Sequence, residues 1–423
     1  MKIVIINHSD TLGGASVVSR RLMHALRSLG QDAWMLVSHR ASDDPHVVTA
    51  APKWRSRLSF LAEHARIFLN NGHNREDLFK ASIATDGLKL ATHPLVRNAD
   101  AVILNWVNQG MLSLHEIGRI AEKKRVLWTM HDMWNLTGIC HHAGKCTAYT
   151  GTCSNCRLLH CEANEHDLSY LTWQSKKALY DTSGIRFIAV SSWLKRKAEE
   201  SALMKGRDIR IIPNAFPVED FYIEPKDTAM PFCLPHDKRL ILMGAARLDD
   251  PIKGFPMAIE ALENVEVCNA MAVFFGAIKD PSVFRSPSII KSAKPWTIDN
   301  PIAALSMPHR WLGPVKDAAM LRELYSRACV VISSSLYETL PGTLIEGQAA
   351  GCVPVAFNSG GQSDIIDSPA TGFLVPPYDT TAFSTAIYGA VNTTFDREAL
   401  RESVQKKFSA TAVAEKYIEA LKD

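Results

Sequence analysis

Two glutamates eight residues apart, Glu338 and Glu346, bracket Pro341 and Gly342 in the stretch SSSLYETLPGTLIEGQAAGCVPVAFNSGGQSDII. The small and branched residues before Glu338 read as a strand end, the Pro-Gly pair as a tight loop and the segment carrying Glu346 as a helix. A carboxylate near a helix start can grip a vicinal diol, while exposed loop amides hold phosphate, which together recognise ribose and pyrophosphate. A second candidate closes the first strand, in NHSDTLGGASVVSRRLMHAL. Gly13 and Gly14 let backbone approach a ligand closely, and the helix that follows offers N–H donors and a positive dipole end to an anion. The spacing does not match GxGxxG, so a nicotinamide cofactor gains no support. A third is GICHHAGKCTAYTGTCSNCRLLHC, residues 138 to 161, with five cysteines and three histidines. Cys233, Cys268, Cys329 and Cys352 stand alone and read as buried apolar thiols. In a reducing cytoplasm a disulfide framework is not expected, so the cluster reads first as a metal site.

The elements that must position these residues alternate along the chain. Branched runs (KIVIIN, AWMLVS, DAVILNW, RVLWTMH, RFIAVSS, IRIIPN, then RLILMGAAR, MAVFFGA, CVVISSS and CVPVAFN) are separated by amphipathic helical stretches. Near-continuous apolar strands of this kind imply parallel sheets covered on both faces, a Rossmann-like architecture occurring twice. A chain of 423 residues suits two such domains. Residues 211 to 238, rich in proline and polar residues, read as the linker. A cleft is expected between the halves, faced by the loops that follow the strands.

No apolar run is long enough to span a bilayer. The opening MKIVIIN reads as a buried strand rather than a signal peptide, so a cytoplasmic protein is expected. Residues 1 to 212 hold 28 Lys and Arg against 19 Asp and Glu, whereas the remainder holds 19 against 25. The basic half suggests an anionic partner: a phospholipid surface, a lipid pyrophosphate or nucleic acid. Within it, KWRSRLSFLAEHARIFLN, residues 53 to 70, predicts a helix with Trp54, Leu58, Leu61 and Phe68 on one side and Arg55, Arg57 and Arg66 nearby. That pattern fits either an ordinary packed surface helix or one lying on an anionic bilayer. No RNA-binding module and no dense aromatic-basic tract is present, and no nucleic-acid partner is expected.

The early Gly-Gly turn, the pair His131-Asp132, IPNAF at the linker, RLDDPIKGF and the E-x7-E block occur in one order. In that order they resemble the retaining nucleotide-sugar transferases of glycosyltransferase family 4, which have the GT-B fold of two Rossmann-like domains facing a central cleft. The resemblance implies an N-terminal acceptor-side domain over 1–210, the linker at 211–238, a C-terminal nucleotide-sugar-binding domain over 239–405 and a C-terminal helix, 406–423, packing back on the first domain. It implies that Glu346 binds the donor ribose hydroxyls, that Glu338 contacts the donor sugar near its reacting face, and that Arg247 and Lys253 form a cationic pair on the donor diphosphate. His131 resembles the histidine that touches the donor sugar, and Gly14 the turn that lets diphosphate and acceptor approach. The backbone of Leu340, Pro341, Gly342 and Thr343 would supply further donors. The implied substrates are a UDP- or GDP-linked sugar and a glycan acceptor, with no catalytic metal. The same residues have plainer readings: Arg247 and Lys253 as surface charges, Glu338 as a helix cap, His131 as a core histidine or metal ligand.

Two departures stand out. Five residues, LDDPI, separate Arg247 from Lys253 where the family usually has four, and Ala215 follows Asn214 where Gly is common. A bulge must therefore restore Lys253 to the phosphate, and the turn at Ala215 must avoid positive φ.

The stretch HDMWNLTGICHHAGKCTAYTGTCSNC resembles most the colanic-acid-type branch of bacterial surface-polysaccharide transferases, with four cysteines at this spacing. That implies a structural Zn²⁺ on Cys140, Cys146, Cys153 and Cys156, whose closing C-x-x-C suits tetrahedral thiolates. Four protein ligands leave no open position, so such a metal would order the loop without performing the chemistry. Free thiols, an iron–sulfur cluster, or replacement of one cysteine by His141, His142 or Cys161 remain as alternatives. The acceptor implied by this branch is a lipid-linked oligosaccharide met at the inner face of the cytoplasmic membrane. A sugar-nucleotide epimerase of similar fold and a non-catalytic RNA- or membrane-binding protein are the competing readings.

Overall fold

The computed structural model describes residues 1–223, 231–280 and 305–422. The chain divides into two compact units, one formed by Met1–Ala215 with Ala410–Asp423, the other by Phe216–Ser409. The segment expected as a linker thus contributes its first five residues to one unit and later residues to the other, with 224–230 outside the described residues. Residues 281–304 of the expected C-terminal domain also lie outside them.

The first unit carries strands β1 (Lys2–Ser9), β2 (Asp32–His39), β3 (Val47–Thr49), β4 (Ala101–Leu104), β5 (Arg125–Met130), β6 (Arg186–Ala189) and β7 (Ile209–Ile211). They form one parallel sheet in the order β3-β2-β1-β4-β5-β6-β7. Its helices are α1 (Gly14–Ser28), α2 (Lys53–Leu69), α3 (Pro94–Arg97), α4 (Leu114–Ala121), α5 (Leu168–Thr182), α6 (Ser192–Glu200) and, from the far end of the chain, α12 (Ala410–Lys422). Ile3 and Ile5 are fully buried with Leu26, Met35 and Ile103, and α12 inserts Val413, Ala414 and Leu421 into the same cluster. Each of these side chains larger than alanine contributes roughly 1.5–3 kcal/mol by leaving water. Tyr417 adds a buried hydroxyl bond to Thr129 at 2.9 Å, and Arg125 and Arg186 donate to the α12 carbonyls of Leu421 and Ala420, satisfying helix-end acceptors.

The second unit carries β8 (Arg239–Arg247), β9 (Ala270–Ala277), β10 (His309–Trp311), β11 (Val330–Ser333), β12 (Val353–Phe357) and β13 (Phe373–Val375), in the parallel order β10-β9-β8-β11-β12-β13. Its helices are α7 (Phe255–Glu263), α8 (Ala318–Arg327), α9 (Gly342–Ala349), α10 (Thr380–Asn392) and α11 (Arg397–Phe408). Phe255, Phe274, Phe357 and Phe383 dominate its core. Ten strands coincide with the branched runs of the sequence. The remaining three, β3, β10 and β13, are three-residue edge strands.

In each sheet the strand order reverses once, between β1 and β4 and between β8 and β11. A crevice opens beyond the carboxyl ends of the strands at such a point, where open α/β sheets bind ligands. Lys253, Glu338, Pro341, Gly342 and Thr343 lie at the second of these places and Gly13 and Gly14 at the first. Among the described residues no helix is long and apolar enough to cross a membrane.

Candidate active site

At the β8/β11 reversal lies a pocket of ≈ 120 Å³ lined by Lys253, Glu338, Pro341, Gly342 and Thr343, together with the small residues 244–246 of β8. It accommodates one part of a ligand rather than a whole nucleotide sugar. The β8/β9 register shifts between Gly244 and Arg247, and Asp250 then caps a short 3-10 turn, Pro251–Lys253, accepting the Ile252 N–H at 3.0 Å. The register shift thus precedes Arg247, and of the stretch between Arg247 and Lys253 only the turn Pro251–Lys253 is a regular element. Ser334 donates to the Lys253 carbonyl at 2.9 Å and the Leu336 N–H to that of Ile252 at 2.7 Å, tying the turn to the loop after β11. There the Lys253 ammonium meets Glu338 Oε2 at 2.6 Å.

Arg247 lies apart from the pocket lining. Its Nε and Nη2 fork onto Asp249 at 3.1 and 2.9 Å, and the Asp249 side chain is fully buried. Burial by itself would raise this carboxyl's pKa, but the Arg247 fork and the amides of Asp280 and Lys279 outweigh it and hold the group at about 2. The two cations expected to act as a pair are thus each matched to a different carboxylate.

The amides at the start of α9 have no side-chain cap, Pro341 standing at the N-cap, so the first turn keeps unpaired donors. Leu340 is buried and outside the pocket lining. Glu346 sits one turn along α9, half-buried and likewise outside the lining. A residue the sequence reading missed is Gly360. The Glu338 carbonyl accepts the Gly361 N–H at 2.9 Å, and a Cβ on Gly360 would fall 1.8 Å from that oxygen. The adjacent glycines of NSGGQSD are the signal for this close approach.

At the β1/β4 reversal, Gly13 begins α1 with φ 82°, a conformation glycine adopts without cost, and no side chain caps the helix. A Cβ on Gly13 or Gly14 would meet nothing within 4 Å, so the turn faces open space. Asn7 Oδ1 accepts the Trp106 N–H at 2.8 Å and joins the ends of β1 and β4. His131, after β5, bonds through Nε2 to Asn105 Oδ1 at 2.7 Å. Since that oxygen only accepts, Nε2 carries the proton and Nδ1 is the acceptor nitrogen. Burial lowers the His131 pKa to about 4 against the opposing pull of Asp132, so the ring is neutral near pH 7.

Asp132 accepts from Trp106 Nε1 at 3.0 Å and bonds His141 Nδ1 at 2.7 Å, while His141 Nε2 reaches Ser82 at 3.0 Å. The Asp-His-Ser order is that of a hydrolytic triad, but Ser82 is fully buried and no substrate reaches it. Both His141 nitrogens are spent in this row, which removes it as a metal ligand.

The zinc expectation needs correction. Among the described residues no group of three or more His, Cys, Asp or Glu side chains is placed to hold a metal ion, and Cys140, Cys146, Cys153 and Cys156 are free cysteines. Burial pushes the thiols of Cys153 and Cys156 up to about 11 and 12 and raises that of Cys140. The loop is held another way. Lys176 of α5, fully buried, donates to the carbonyls of Trp134, Thr137 and Gly138 at 2.6, 3.1 and 2.9 Å, with its ammonium 3.4 Å from the Trp134 ring centroid. Asp167 accepts the Cys156 N–H at 2.8 Å while capping α5. Neither residue carries a motif that marks it.

Residues 238–392 match the family described as "Glycosyl transferases group 1", a segment of the second unit that contains the whole β8/β11 pocket. A glycogen synthase of Thermodesulfovibrio yellowstonii is 28% identical over 107 residues, 24% of this chain, and the match spans 22% of that relative's length. Two solved structures are similar over nearly the full chain. One is a glycosyltransferase from Rickettsia africae, at TM-score 0.66 and 17% identity, covering 99% of this chain and 97% of the other. The other is Anabaena HepE in complex with UDP and glucose, at TM-score 0.60 and 14% identity, covering 100% and 99%. The fold is therefore that of the GT-B glycosyltransferases, two α/β domains each built on a parallel sheet.

Proposed function

We propose that this protein transfers a sugar from a UDP- or GDP-linked donor to a hydroxyl of a glycan acceptor, with retention at the anomeric carbon. The observation that carries the reading is the β8/β11 pocket, where the Lys253–Glu338 pair and the uncapped start of α9 meet inside the segment that matches the transferase family. The UDP and glucose bound by the similar Anabaena protein favour a UDP-linked donor.

The acceptor oxygen bonds to the anomeric carbon on the face from which the diphosphate departs, and the acceptor proton passes to the departing diphosphate. Lys253 has three donors, so it can hold a phosphate oxygen while keeping its bond to Glu338. The amides of residues 342–344 add their dipoles to the same negative charge. Arg247, aimed by Asp249, is the second cation for the diphosphate, and Glu346 the carboxylate for ribose. In the first unit neutral His131, held by Asn105, contacts the donor sugar, and the Gly13–Gly14 turn admits the acceptor. The acceptor is a lipid-linked oligosaccharide of bacterial surface polysaccharide, of the colanic-acid type, met at the cytoplasmic face of the membrane. The resemblance of the HD-x-W stretch and the basic first unit support that assignment.

Calorimetric titration with UDP and with GDP, each without divalent metal, tests the donor site. One of them binds, and Glu346→Ala weakens that binding about tenfold by removing a charge-assisted bond. Binding of neither by folded protein overturns the assignment. Conversion of donor without any acceptor would point to the epimerase instead.

A further inference from the structure

The exposed side of α2 carries a continuous apolar row. Trp54, Leu58, Leu61, Ala65 and Leu69 follow one another at intervals of four, three, four and four residues, the spacing of a single helical face. All five are exposed, Trp54 by 62% and Leu69 by 63%. Of the thirteen large hydrophobic side chains exposed among the described residues, four stand on this helix, which no scatter of surface apolar residues explains. Phe68, which the sequence reading placed on this row, is half-buried against His73, and Leu69 takes its place.

Charge frames the row on both sides. Lys53 and Arg57 run along one flank, Arg55 and Arg66 along the other, and all four are exposed. The helix has one carboxylate, Glu63, which points inward and accepts the amides of Ile83 at 2.8 Å, Ala84 at 3.1 Å and Gly110. The opposite face is thus occupied in holding the fold, and the outward face presents apolar and cationic groups alone. Arg66 is 3.6 Å from Asp86, while the Arg55 guanidinium lies 5.1 Å from the Trp54 ring.

We infer that the outward face of α2 is a docking surface for an anionic phospholipid bilayer, its apolar row entering the acyl boundary and its cations meeting the headgroups. An apolar row with a tryptophan and basic flanks matches the layered chemistry of that interface. Nucleic acid would leave the row without a partner. A second copy docking through the same patch would set the four cations against themselves. The surface is independent of the donor pocket.

The test is co-sedimentation of the full chain with vesicles of phosphatidylcholine alone and with 30% phosphatidylglycerol, alongside titration with UDP. Binding is expected to the anionic vesicles, weakened by salt. Trp54→Ser/Leu58→Ser/Leu61→Ser and, separately, Arg55→Glu/Arg57→Glu each lower it about tenfold or more without changing UDP affinity. The arginine variant leaves packing untouched and keeps the test open if the apolar variant folds poorly. Equal binding by wild type and the arginine variant, or no sedimentation with anionic vesicles at low salt, overturns the inference while leaving a positive UDP titration intact. A dimer that only the apolar variant dissociates would assign the row to a second copy and overturn it as well.

Discussion

The two points of strand reversal share a topology and differ in chemistry. At β8/β11 the loops bring charged side chains together, Lys253 on Glu338 and Arg247 on Asp249, beside a helix start with no cap. At β1/β4 the equivalent loops carry Asn7, Asn105, Trp106 and a neutral His131, joined by hydrogen bonds between uncharged groups. A parallel sheet therefore decides where a site lies, and the loop residues decide what it can hold. One place gathers charged side chains, the other neutral hydrogen-bonding groups.

Removing charge should cost more at the first place than removing a hydrogen bond at the second. Lys253→Ala should lower kcat/KM about 10²- to 10³-fold, as loss of a preorganised donor does elsewhere, whereas Asn105→Ala should lower it about tenfold by loosening His131. Steady-state kinetics of both variants decides this, and equal losses would erase the distinction. Lys176→Met tests whether the loop between the His131 strand and α5 is held by that ammonium. It leaves three carbonyls without their donor and should cost about 3 kcal/mol in urea unfolding. A loss below the error of extrapolation would show that the staple lies elsewhere.

Acid should separate the two places as well. The carboxyl of Asp249 titrates at about 2 in the folded chain against 3.8 for an unperturbed group, so its contribution is complete above pH 3.8 and is lost as pH falls towards 2. Wild type should thus lose stability more steeply than Asp249→Asn over that interval, as followed by acid melts. His131 acts over a higher interval than Asp249 and with the larger shift. Its folded pKa of about 4 lies below the 6.5 of an unperturbed imidazole, so the unfolded chain binds more protons between those values and stability rises with pH from 4 to 6.5. An NMR titration should find its midpoint near 4, and a midpoint near 6.5 would place the ring in a wetter, more open site.

Much of the frame was legible because its signals are local. Ten strands announced themselves as branched runs, and the Pro-Gly turn between Glu338 and Glu346 located a strand-to-helix loop. The cysteine cluster misled for the same reason. Spacing along the chain suggested a knuckle, but whether four thiols converge depends on how residues 138 to 161 are pinned, and a lysine on a following helix does the pinning. On α2 the period was readable, yet which side faced outward was settled by Glu63, whose carboxylate bonds amides of two other loops.

By itself the sequence determined two α/β units, the ends of most strands and the glycine- and proline-marked turns that follow them, because hydrophobic period and Gly and Pro conformations act over a few neighbours. Tertiary structure alone decided the partners. Lys253 reaches a glutamate 85 residues away, Lys176 closes on carbonyls about 40 residues before it, and Gly360 must be bare to pass the Glu338 carbonyl. Such pairings are set by strand order and packing, which join segments that no local pattern relates.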